Sequence, residues 1–72
     1  MELVYAVFTQ YEPSYKYEEA MESIWTDLES ATEHANVLAK STAKFDWVFI
    51  RPLALNQYDM AVEEQDLIIK KP

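Results

Sequence analysis

No cysteine and only one histidine, His34, occur among the 72 residues, so neither a disulfide nor a Cys/His zinc site can staple this fold. A chain this short buries only about 60% of the surface that its unfolded form exposes. Its own apolar side chains must therefore supply the core. They are abundant enough, since 50% of the residues are hydrophobic and 14% aromatic, far from the composition of a disordered chain. One domain over residues 1–72 is expected, because no linker, repeat or low-complexity tract divides the sequence. Association with another chain is the remaining common route to extra stability. The apolar runs are too short to span a bilayer, and MELVYAVFTQYE lacks the basic start and small-residue cleavage site of a secretory signal. Together with the absence of cysteine, this predicts a cytoplasmic protein.

Residues 3–11, LVYAVFTQY, are β-branched and aromatic and predict a strand. Pro13 breaks it, and Tyr17 to Trp25 is expected to return as a second strand beside the first. Thr26-Asp27-Leu28-Glu29 reads as a capping box, with Thr26 as the cap and Glu29 reaching back to it. The helix that follows carries Leu28, Ala31, Thr32, Ala35, Leu38, Ala39 and Thr42 within a stripe of roughly 120°, and should end between Ser41 and Lys44. Phe45 to Arg51 predicts a further strand, with Pro52 at its end or along an edge. Residues 53–66 are ambiguous, with Asn56-Gln57 like a turn and Tyr58 to Glu64 like a short helix or an alternating strand, and Leu67 to Lys70 suits a last short strand. The expected class is α+β: a three- or four-stranded, mainly antiparallel sheet in β-β-α-β order with one amphipathic helix on one face. Both faces of the first and third strands are apolar, so a single helix would leave one sheet face in water. Such a patch predicts an interface, most simply a twofold homodimer.

The charges are one-sided. Between Lys16 and Lys40 stand six carboxylates, Glu18, Glu19, Glu22, Asp27, Glu29 and Glu33, and no lysine or arginine. In a chain of formal net charge −7, this run attracts cationic partners and repels nucleic acid and anionic membranes. On a helix Glu29 and Glu33 lie about 6 Å apart along the axis. On a strand Glu18 and Glu22 lie about 13 Å apart on one face. Both distances are compatible with the spacing of phosphates. These six, with Tyr15 and Tyr17 at the predicted turn, are the candidate partner-binding residues. The competing explanation is that the charge serves solubility alone, leaving a spare sheet face as the contact of a small structural or regulatory domain.

Other chemistry finds little support. The clustered carboxylates cannot form an EF-hand, which requires a glycine that this chain lacks. His34 has no second ligand at metal spacing, and Ser30, Ser41 and Thr42 sit in no nucleophile elbow. No catalytic residue, cofactor or metal is therefore expected, and no enzyme. Tyr5, Tyr11, Tyr15, Tyr17, Phe8 and Trp25 suggest a base-stacking platform, but the segment has only Lys16 to bind phosphate, so packing is the better reading.

In size, in its charge of −7, in lacking Cys and Gly and in its clustered carboxylates, the chain resembles small acidic phage-encoded inhibitor proteins of the DNA-mimic or anti-CRISPR type. The segment from Val4 to Leu55, centred on IWTDLESATEHAN, also looks like the short β-β-α-β modules common in phage and bacterial genomes. The resemblance implies occupation of the nucleic-acid-binding surface of a basic host protein, in the host cytoplasm. Lys40, Lys44 and Arg51 interrupt the acidic shell.

Overall fold

The computed structural model describes residues 2–10, 19–41, 47–55 and 66–71. Strand β1 (Leu3–Gln10) pairs antiparallel with β2 (Glu19–Trp25) on one side and β3 (Trp47–Ala54) on the other. Strands β2 and β3 consequently run parallel to each other. Parallel strands cannot be joined by a tight turn. Helix α1 (Leu28–Ser41) makes the crossover between them, and β4 (Leu67–Lys70) adds antiparallel to β3. The fold is α+β, with a four-stranded antiparallel sheet in spatial order β2-β1-β3-β4 and a fourth strand following the predicted β-β-α-β.

One sheet face carries the helix. Val7, Val48 and Ile50 bury completely against Ala31 and Ala35, flanked by Tyr5, Trp25, Leu38, Ala39 and Ile69. Two alanines at the closest approach let the helix backbone sit near the strands. The predicted stripe holds at its centre, but Leu28, at the first turn, is 43% exposed, and the side chain of Thr42 lies outside the described residues.

The opposite face corrects an expectation. Its centre is not in water: Ala6, Phe8 and Phe49 are buried, with Trp47 and Leu53 packed against them. The Phe8 and Phe49 rings stack with centroids 5.5 Å apart, and the Arg51 guanidinium lies 4.8 Å and 5.2 Å from them. The exposed large apolar residues of the sheet stand instead on its rims, Met21 and Ile24 on β2, Leu67 and Ile68 on β4.

Two local features differ from the sequence reading, the helix cap and a bulge, and Pro52 takes one of its two expected places. Asp27 caps α1, one residue later than Thr26, by accepting a 2.8 Å bond from the Ser30 N–H. Pro52 lies inside β3 but along an edge, the second of its two expected places. Opposite Tyr5 it falls past Ile50↔Leu67, the last β3–β4 pair, so no β4 residue needs its missing N–H. Finally, β2 bulges at Glu22, because Val7 pairs with Ser23 while Phe8 pairs with Met21. Leu53 and Ala54 extend β3; the turn expected at Asn56-Gln57 and the helix or strand expected over Tyr58 to Glu64 lie outside the described residues.

Candidate partner-binding surface

The acidic run does not form one surface. The bulge advances the strand's alternation by one residue, so Met21 and Ile24 share the Arg51 face while Glu22 turns toward the helix face. There Glu22 Oε1 accepts a 2.9 Å hydrogen bond from the buried Thr9 hydroxyl. Glu19 takes the opposite face. Its carboxylate is gripped by Arg51, Nη1 to Oε2 at 2.8 Å and Nη2 to Oε1 at 3.0 Å. From the other side Asp66 accepts from Arg51 Nε at 2.9 Å and from Nη2 at 3.1 Å. One guanidinium thus bridges the two rims of the sheet above a stacked ring pair. The hydrogen bonds that Arg51 donates, first to Glu19 and then to Asp66, raise its pKa above its ordinary value.

Asp27 has a local duty as the helix cap. The Ser30 N–H holds its carboxyl below the ordinary 3.8. Glu29 and Glu33 are different. Both are exposed on the outer side of α1, one turn apart, and neither makes an ion pair among the described residues. Glu18, Tyr15 and Tyr17 lie outside the described residues. Of the predicted set, the fold leaves Glu29 and Glu33 together and uncommitted, whereas Glu19, Glu22 and Asp27 each have a partner within the chain.

A contact that the sequence did not reveal joins the helix to β2. Trp25 Nε1–H donates to Ser23 Oγ at 2.7 Å, and Ser23 Oγ meets His34 Nδ1 at 2.6 Å. The Trp25 and His34 rings meet edge to face at 5.8 Å. His34 stands 11 residues from Ser23, and only the crossover brings the two together. No carboxylate orients His34 among the described residues, where no group of three metal-ligating side chains gathers either. The Ser23–His34 pair therefore acts as a tie between helix and sheet. A cleft of about 280 Å³, lined by Glu2, Leu3, Val4, Thr26 and Leu55, falls below the roughly 300–1,000 Å³ usual for small-molecule sites. Among the described residues no helix is long and apolar enough to cross a membrane. No protein-family model, curated protein or solved structure matches this chain.

Proposed function

We propose that this chain is a non-enzymatic acidic binding protein that docks on a basic surface of a host protein, in the manner of a DNA mimic, in the cytoplasm. The target class is a protein whose own basic surface binds nucleic acid. The observation that carries this reading is the exposed, uncompensated pair Glu29 and Glu33 on α1. Like charges one turn apart weaken a helix slightly. Glu29 recovers part of that through the helix dipole, but Glu33, in the second turn, does not. An exposed cost without a local benefit is what a binding charge looks like. Long-range attraction from such a surface speeds encounter with a cationic partner and is screened by salt.

The test is capture of nucleic-acid-binding proteins by the wild-type chain and by a Glu29→Lys/Glu33→Lys variant. Wild-type capture should be competed by duplex DNA and weakened by salt, and the variant should lose it. Unchanged capture by the variant refutes the reading. A second reading, a small interaction domain that self-associates through apolar residues, is favoured by Leu67 and Ile68, 46% and 45% exposed on β4. Sedimentation velocity over a concentration series decides it, since a constant monomer mass excludes a homodimer.

A further inference from the structure

We propose that the outer edge of β2 is a strand-addition site for an extended segment of a partner protein in which Lys or Arg alternates with apolar residues. This rests on the basic-partner reading above and gives that partner a form. Strand β2 is the last in the sheet order, so among the described residues its outer row of N–H and C=O groups has no partner. It is also the most exposed long strand, with only Ser23 and Trp25 partly covered.

Free edges are normally blunted by charged side chains, lysine above all, by proline or by a bulge. Strand β2 has no lysine or proline, its only charges are the carboxylates of Glu19 and Glu22, which repel acidic strands and not basic ones, and its bulge has the opposite effect on apolar exposure. By turning Glu22 to the helix side, it sets Met21 and Ile24, 49% and 54% exposed, side by side on the other face. An added strand would therefore meet Met21 and Ile24 on one face, where the Glu19 carboxylate is neutralised by Arg51, and the carboxylate of Glu22 on the other. That pattern selects alternating apolar and cationic residues. A second copy of this chain fits poorly, because antiparallel β2–β2 pairing over the full strand, whose midpoint is residue 22, would bring the Glu22 carboxylates of both copies together. In strand addition the main chain supplies affinity and the side-chain alternation supplies specificity.

The probe is a capped eight-residue peptide alternating Lys and Val, added to isotope-labelled protein. Two further versions are N-methylated, one along each edge, so that each loses the backbone donors of that edge. The unmodified peptide should bind and slow amide exchange within residues 19–25. One of the two methylated versions should bind at least about tenfold more weakly, since it loses several main-chain hydrogen bonds. A Met21→Thr/Ile24→Thr variant, altered only at exposed positions, should weaken binding as well. Binding of both methylated peptides within about twofold of the parent would show attraction by charge alone and overturn the edge site. So would absence of binding, or protection of residues 19–25 by self-association without peptide. In each of those cases the Glu29 and Glu33 reversal still decides the broader reading by itself.

Discussion

Arg51 illustrates what a single side chain contributes in so small a domain. It stands in the sequence as an interruption of an acidic shell, yet its planar fork binds two carboxylates and lies over the Phe8 and Phe49 rings. Its partners are 32 and 15 residues away, on opposite rims, so only the strand order reveals the arrangement. The side chain is still 32% exposed, which weakens its ion pairs by solvent screening. With that discount, Arg51→Ala should cost about 1–2 kcal/mol in denaturant unfolding. Arg51→Lys should restore less than half of the loss, because an ammonium lacks the fork. Full rescue by lysine would mean that charge alone matters. Asp27 gives a pH-dependent counterpart. Its carboxyl is held below 3.8 by the Ser30 N–H, so the folded state favours the charged form. The stability it contributes is complete above the ordinary carboxylate value and disappears as pH falls through the lowered one. The melting-temperature difference between wild type and Asp27→Asn should accordingly stay constant above about pH 5 and change below about pH 4. A difference independent of pH would remove Asp27 as a charged cap.

At the scale of elements, alternation and periodicity carried most of the information. Strands β1, β2 and β4 and helix α1 stand where their apolar patterns put them, because each must bury a face against the same sheet or helix. Phase was less legible than existence. A bulge inserts one residue without a compositional mark, so the strand pattern of 17–25 could not show that Glu22 would leave the face of Met21 and Ile24. The cap moved by one residue for a similar reason, as Thr26 and Asp27 are both good N-caps and the geometry of the β2–α1 turn chooses between them. The helix–sheet contact depends on side-chain size more than on hydrophobicity, since Ala31 and Ala35 are fully buried. Ala35→Leu should therefore destabilise by about 1–3 kcal/mol, despite the higher hydrophobicity of leucine, because the helix must lift from the sheet. Val37→Lys, at a position 60% exposed, should change unfolding by no more than about 0.5 kcal/mol. Equal effects in the two variants would contradict the packing described.

For the whole molecule, total charge and charge placement have separate consequences. The net charge of −7 was legible by counting, but its division among the Arg51 face, the Thr9 contact and the outer side of α1 depends on topology and on a bulge. An excess of like charge opposes compaction, and salt relieves that repulsion. Salt also weakens the Arg51 bridges, though these partly buried, bidentate contacts are screened less than exposed carboxylates. Repulsion should prevail, so the melting temperature should rise as sodium chloride goes from about 50 to about 500 mM, over which the screening length falls below 10 Å. Binding to a basic partner should respond in the opposite sense, losing affinity over the same range as attraction across the interface is screened. The two measurements together separate a charge that is merely carried from one that is used. A chain whose carboxylates serve solubility gains stability with salt and shows no salt-dependent partner, whereas a binding surface built on Glu29 and Glu33 shows opposite slopes. Reversing those two residues should flatten the binding slope while leaving the stability slope positive, since the remaining net charge is still negative.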